Sequence, residues 1–576
     1  MQKYTTSTAF LEALSEAGVS YIFANLGSDH PALIESLAEF EKLGKTHPSV
    51  ITCPHEMVAL SAAHGYAQVT GQPQAVIVHV ECGTQNLGGA IHNAAKGRVP
   101  VLIFAGASPY TEENELIGSR NEYIHWVQDV FDQRGIVRGY TKYDNEIRTG
   151  TNVKQLVHRA LQIAKSDPKG PVYLMGPREA MEQEVSPVEI NTTLWGPVAP
   201  AGLPPAGVRD IVHDLLCAKK PLIVTSYVGR SVEAVDELVR LCDSLAIPVI
   251  ESVPNFMNFP SDNPMHCGYQ WNGDRHELLS NADFVLVIDS DIPWIPTTNK
   301  PDNDCVVYYI DVDPLKNQMP LWYIPAKQFF AADATIALQQ LNECVHSIAN
   351  LDNGFIRTRR QRVTDFHNRQ RTEWQIGETP RDDVITPEYL TSCVRELVDD
   401  DTIVLSEGIT NFSTICKHLR ANRAGMLQSS GGGSLGWNGG AAVGIKLALP
   451  QKTVINLVGD GTYMFSVPSS VHWVANKYHT PFLTVIYNNG GWKAPKMSTL
   501  AVHPKGAAAQ TNLFYTDFDP QPDMAKIAEA AGGAFARKVK EPGALLDVLQ
   551  EALAVVQGGR SAVVDVQLPH HSSTLL

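Results

Sequence analysis

Apolar residues fall along this chain in two rhythms. Short continuous runs, Tyr21-Ile-Phe-Ala-Asn25, Ala75 to Val80, Val101 to Ala105 and Val172-Tyr-Leu-Met175, suit strands buried on both faces. Between them lie amphipathic stretches, Ser7 to Ala17 and Met57 to Val69, the second rich in small residues. Strand runs alternating with helical ones predict a parallel sheet with crossover helices. The pattern recurs twice. Pro221 to Thr225, the helical Val232 to Leu245, Pro248 to Glu251, Phe284 to Ile288 and Val306 to Ile310 form a second unit. A third runs from about Thr386, with strands at Thr402 to Leu405, Thr453 to Val458, Phe482 to Tyr487 and Ala562 to Val566. Trp195 to Pro205 is rich in Pro and Gly and reads as a connector; Asn350 to Asp383 is charged and reads as helix or linker. The fold class expected is α/β in three domains, 1–190, 200–350 and 385–576, with a linker over 351–384, each domain a parallel sheet flanked by helices.

Composition narrows the partners. Of 576 residues 44% are hydrophobic, ordinary for a globular chain. Lys+Arg number 46 against 61 Asp+Glu, a net charge of −15, which argues against nucleic acid or an anionic membrane. Nine cysteines lie scattered with no CxxC pair, as buried thiols of a reducing compartment. The chain opens without a charged-then-apolar signal segment, and no apolar run approaches ~18 residues. A cytoplasmic enzyme is the expectation.

Candidate chemistry gathers at strand ends. Gly459-Asp460-Gly461 follows the run Thr453 to Val458, and Asn488-Asn489 follows Phe482 to Tyr487, with a helical stretch, Val471 to Tyr478, between. An acid and an amide at neighbouring strand ends, with glycines admitting a phosphate to backbone N–H groups, suit Mg²⁺ bound to a diphosphate. GDG alone is a common strand-to-turn sequence; paired with NN at this spacing it is far more specific. Two further features stand out. His55-Glu56 heads the helical run 57–69, where a glutamate also simply complements the helix dipole. A glycine-dense loop, Ser429 to Ile445, runs into a helix.

Together the His-Glu pair, the loop with Gly-x-x-x-Gly-Ala-Ala-x-Gly and GDG…NN resemble the thiamine diphosphate (ThDP)-dependent enzymes, in the branch of acetolactate synthase, benzoylformate decarboxylase and pyruvate decarboxylase. The resemblance covers essentially the whole chain. It implies pyrimidine-binding, central and diphosphate-binding domains in that order. It implies ThDP and Mg²⁺ held between subunits, hence a homodimer or homotetramer. It casts Glu56 as the partner of the pyrimidine N1′, the Gly433 carbonyl as acceptor for the 4′-amino group, and Leu435 as the residue that holds the cofactor bent. Asp460, Asn489 and the Gly491 carbonyl become metal ligands, with Asn488 the lesser candidate. Gly408, Ile409, Thr410, Gly459, Gly461 and Thr462 line the diphosphate.

On the substrate side the resemblance points to Ser28 and His79 as catalytic groups, with Asp29, His30, Trp126, Trp492 and Lys493 near the substrate. Trp126 matches the position of a glutamine in acetolactate synthase. The central-domain histidine of benzoylformate decarboxylase is absent at Trp294-Ile-Pro296, and the histidine pair of pyruvate decarboxylase is not seen. Ile288-Asp-Ser-Asp-Ile-Pro293 replaces the flavin segment of acetolactate synthase, so FAD is not expected. The implied activity is decarboxylation or carboligation of 2-oxo acids, with aldehydes as further substrates. Alternatives are a lyase acting on acyloins or 2-hydroxyacyl thioesters, and a catalytically idle protein of the same fold. The tail from His570 to Leu576 is a frayed end or a lid over the site.

Overall fold

The computed structural model describes residues 3–271, 275–348, 353–380 and 383–571. Their strands form three sheets of six, every pairing within them parallel. In the first, β1 (Tyr21–Ala24), β2 (Ser49–Thr52), β3 (Gln74–Val78), β4 (Val101–Ala107), β5 (Tyr143–Glu146) and β6 (Val172–Pro177) lie in the order 2-1-3-4-6-5. In the second, β7 (Pro221–Thr225), β8 (Val249–Ser252), β9 (His266–Gln270), β10 (Phe284–Ile288), β11 (Val306–Asp311) and β12 (Gln328–Ala331) run 12-11-10-7-8-9. The third orders β13 (Thr402–Glu407), β14 (Leu427–Gln428), β15 (Thr453–Gly459), β16 (Leu483–Asn488), β17 (Phe535–Val539) and β18 (Ala562–Gln567) as 14-13-15-16-18-17.

The interior strands are the apolar runs of the sequence. The edge strands β2, β5, β9, β12, β14 and β17 are not. Tyr143–Glu146 is only half-buried throughout, and Ser49–Thr52 and Gln328–Ala331 each bury one residue of four. A strand paired on one side needs no continuous apolar run. The charged segment expected as helix or linker contains a 24-residue helix, Asn353–Ile376, packed along β9: Arg359 donates to the carbonyls of Leu245 and Ala218, and His367 Nδ1 lies 2.7 Å from the His266 carbonyl. Among the described residues no helix is long and apolar enough to cross a membrane.

The cores are not separate. One cluster joins Val58, Ala62 and Val76 of the first unit to Trp437, Ala441 and Phe482 of the third. Its centre is the pair of helices Glu56–Thr70 and Trp437–Ala448. A side chain on Gly444 would run into the backbone of Ala62, and one on Gly65 into that of Ala441, so glycine sets the spacing. A second cluster joins Ile223 and Leu286 of the central sheet to Val404 and Leu457 of the third. The elements bearing the candidate site are therefore held in one packed body.

Candidate active site

β15 ends at Gly459, and Asp460 opens the short helix Asp460–Phe465, which also carries Gly461 and Thr462. Asp460 is 3% exposed; its Oδ1 accepts the Gly461 N–H at 2.7 Å and its Oδ2 the Gly491 N–H at 2.9 Å. Burial pushes its carboxyl up to about 6 despite those donors. A cation there would reverse that shift.

The two asparagines differ in kind. Asn488 is the last residue of β16; its Nδ2 donates to Asp565 at 2.9 Å and its Oδ1 accepts the Gly490 N–H at 3.1 Å. Asn489, one step beyond the strand, is 9% exposed, and its buried Oδ1 has no hydrogen-bond donor among the described residues. A buried acceptor without a donor costs about 1–3 kcal/mol. That leaves Asn489 with the oxygen a metal would take, beside a buried acid, and the donor set fits Mg²⁺.

The neighbouring turn suits a phosphate. After β13, Gly408 leads into Ile409–Asn411, where Ile409 holds φ 40°, rare for a β-branched residue. Thr410 follows, part-exposed. Glu407 does not face it: its buried carboxylate accepts the N–H groups of Gly436, Trp437 and Asn438, capping the helix Trp437–Ala448. The glycine loop before that helix is clasped by the first domain. Gly433 N–H donates to His92 Nε2 at 3.1 Å, and Asn93 exchanges two bonds with Ser434. Gly433 is exposed and Leu435 half-buried. A cavity of about 330 Å³ opens between Gly431–Ser434, Ile409, Tyr227 and Trp271. Trp492 lies 39% exposed with its indole against Gly461, while Lys493, half-buried, starts the helix Lys493–Val502.

The acid of the first domain stands apart. Glu56, 6% exposed, opens its helix; Oε1 accepts from Asn25 at 3.1 Å and Oε2 from Asn86 at 3.0 Å. Nearby, His79 leaves β3 with its side chain 24% exposed, and its Nδ1 lies 2.5 Å from Asp29 Oδ1. Ser28 Oγ is buried and has no hydrogen-bond partner among the described residues. Asp29 and His30, read in the sequence as substrate-side groups, are 3% and 1% exposed, with the Asp29 carboxylate turned onto the His79 ring. Trp126 is 47% exposed, with Nε1 3.3 Å from Glu112 and Arg120 over its ring. Two residues on, Gln128 is 2% exposed beside His79, with both amide atoms lacking a hydrogen-bond partner among the described residues. The helical turn Ile124–Val127 sets that difference: it turns Trp126 outward and leaves Gln128 facing in. The glutamine expected by resemblance falls on Trp126 in the sequence, two residues earlier, and only the fold brings Gln128 to His79.

At the carboxyl ends of the central strands stand Asp289, Asp291 and Asp311. Arg98 of the first domain bonds Asp311 at 2.9 Å and Asp291 at 2.6 Å, Lys316 bonds Asp311 at 2.6 Å, and Arg230 lies 3.1 Å from Asp289. Adjacent strands β7 and β10 are the switch point of this sheet, where a dinucleotide would sit. The carboxylates at that point are paired with Arg98, Lys316 and Arg230. The last described residue returns to Asn489: the His571 N–H donates to the Asn489 carbonyl at 2.9 Å, and Lys496 Nζ to the His571 carbonyl at 3.2 Å. The rest of the tail read as a lid, 572–576, lies outside the described residues.

Three sequence models of one family align with the three sheets. The N-terminal TPP binding domain of thiamine pyrophosphate enzymes matches residues 4–136, their central domain 208–341, and their C-terminal TPP binding domain 408–566. The chain belongs to the thiamine pyrophosphate-dependent enzymes. It is 25% identical over 548 residues to the acetolactate synthase large subunit of Lactococcus lactis, covering 91% of this chain and 87% of that one. With the isozyme 3 large subunit of Escherichia coli the figure is 23% over 585 residues, 98% and 95% of the two chains. In fold it is similar to a 4-hydroxybenzoylformate decarboxylase of Rhodococcus jostii (TM-score 0.78, 20% identity, 99% and 100% coverage). A benzoylformate decarboxylase of Polynucleobacter necessarius gives TM-score 0.79 at 18% identity, covering 99% of each chain.

Proposed function

We propose that the chain is a ThDP- and Mg²⁺-dependent enzyme that decarboxylates 2-oxo acids, couples the product to a second carbonyl, or does both, without FAD. The observation that carries this reading is the buried, donorless Asn489 Oδ1 beside the raised Asp460 carboxyl. Asp460, Asn489 and the Gly491 carbonyl would hold the metal. Gly408, Ile409, Thr410, Gly459, Gly461 and Thr462 would hold the diphosphate, and Gly433 and Leu435 would fix the rings. When bound, the thiazolium supplies a nucleophilic carbon and an electron sink for the bond next to a carbonyl.

The chain's own residues would do the rest. Glu56 holds a proton at the pyrimidine N1′, and its enclosure makes that bond strong. His79 gives a proton to the reacting centre. Ser28 and Gln128 offer unpaired polar atoms to the substrate's carbonyl or carboxylate oxygens, and Lys493 a charge to a carboxylate. Since Glu56 bonds to Asn25 and Asn86 of its own domain while Asp460 sits in the last, we propose that each site is completed by a second subunit, in a homodimer or homotetramer.

Replacing Glu56 by Gln is the direct test. The variant should bind ThDP and lower the C2–H/D exchange rate by about 10²–10³. Unchanged exchange by NMR removes Glu56 from the mechanism. Product analysis with pyruvate, benzoylformate and benzoin separates decarboxylase, carboligase and lyase; no turnover on any of them, with no exchange, leaves an idle binding protein.

A further inference from the structure

The turn after β1 and the first residues after β3 meet around one carboxylate. Asp29 Oδ1 lies 2.5 Å from His79 Nδ1 and 3.0 Å from His30 Nδ1, and Oδ2 accepts the Val80 N–H at 3.0 Å. Missing side chains make the slot: a Cβ on Gly106 would collide with the Asp29 carboxylate, and one on Gly27 with the His79 imidazole. Val80, whose N–H Asp29 holds, has φ 30°, strained for a β-branched residue. Strain of this kind persists where surrounding bonds over-determine it, and it clusters at active sites. One buried carboxylate thus grips the His79 ring and the strained peptide that follows it.

A carboxylate on Nδ1 keeps the proton there and turns Nε2 outward as the atom that exchanges protons. Both Asp29 oxygens are taken up by His79, His30 and the Val80 N–H, so its effect passes through the imidazole. His30 does not compete for the role, because it is 1% exposed whereas the His79 side chain is 24% exposed.

We propose that Asp29 is a positioning residue that acts through His79, fixing its tautomer and aim so that Nε2–H delivers a proton to the reacting carbon. The proton leaves Nε2 for the substrate's developing negative charge. The ring, left neutral with its other proton toward Asp29, is recharged from solvent. This rests on the ThDP reading above.

The electrostatics agree. The Asp29 hydrogen bond raises the His79 pKa against the pull of burial, and Glu56 adds to it. Burial works against the Asp29 charge, yet His30 and His79 hold its carboxyl well below the usual range. His125 and the Tyr173 hydroxyl also face Asp29. Removing the Asp29 charge must lower the His79 pKa. If catalysis needs the protonated ring, the alkaline limb of the pH–rate profile then moves to lower pH.

The test is a double-mutant cycle of Asp29→Asn and His79→Gln in the full-length holoenzyme. Asp29→Asn should lower kcat on the order of 10²-fold with KM within about threefold, and shift the alkaline limb down. C2–H/D exchange, which depends on Glu56, should stay within about twofold. The double variant should be no slower than His79→Gln alone, because the two changes remove one function. Gly27→Ala, which leaves the buried carboxylate and displaces the ring, should reproduce the kcat loss if Asp29→Asn folds poorly. Multiplying effects, or a kcat near wild type, overturn the proposal. Loss of exchange in the wild-type protein overturns the ThDP reading instead. In that case ¹⁵N-histidine NMR of His79 still decides: a tautomer and pKa unchanged by Asp29→Asn overturn the role assigned to Asp29.

Discussion

Asn488 and Asn489 are adjacent and chemically identical, yet the fold gives them opposite tasks. Asn488 spends both ends of its amide on Asp565 and Gly490. Asn488→Ala should therefore cost about 1–3 kcal/mol of stability, measured by denaturant unfolding of the apo protein, because a buried carboxylate and a backbone N–H lose partners. Asn489→Ala removes an oxygen that has no donor, so apo stability should hold within about 0.5 kcal/mol or rise. Its cost should fall on the cofactor: calorimetric titration should show Mg²⁺-dependent ThDP affinity reduced about 10–100-fold, as for lost support at a metal site. Equal losses of stability in the two variants would contradict this division. Sequence spacing favours the second asparagine only by resemblance; the physical reason is that β16 ends at Asn488, which turns its side chain into the sheet's own bonding. Gln128 makes the converse point. Its orphaned amide was invisible in sequence, where Trp126 matches the position of the glutamine of acetolactate synthase.

At the scale of elements, the interior strands were legible because a parallel strand covered on both faces must be continuously apolar. Val101–Ala107 is buried at every position and stands out at once. Tyr143–Glu146 is paired on one side only, buries nothing fully, and reads as loop. The six edge strands share that property in differing degree, and Leu427–Gln428 adds brevity. The helix pair Glu56–Thr70 and Trp437–Ala448 was legible as two small-residue segments, but not as partners, since nothing in a linear pattern says which face meets which. Their contact is tight enough to test. Gly444→Ala places a methyl against the Ala62 backbone and should destabilise by about 1–3 kcal/mol in thermal or denaturant unfolding. Because Glu56 opens the same helix less than two turns before Ala62, ThDP binding should weaken in the same variant. A neutral effect on both would mean the helices are less closely docked than the geometry states.

For the whole molecule, the merged cores fix the first and third units in one body, while the pyrimidine-side acid and the diphosphate-side acid bond only within their own units. A symmetric dimer in which each Glu56 completes the partner's Asp460 site reconciles the two facts. The closed acid–base cluster around Arg98, Asp291, Asp311 and Lys316 adds that purified protein should carry no flavin absorbance and gain no activity from added FAD. The shared site is tested most directly by complementation. Glu56→Gln and Asp460→Ala proteins, each inactive alone, are mixed, dissociated and reassembled. Random pairing regenerates one intact site in each mixed dimer, so activity should return to about a quarter of that of wild-type protein treated the same way. No recovery in a mixture that has exchanged subunits, with the wild type active, would contradict a site shared between Glu56 of one subunit and Asp460 of the other.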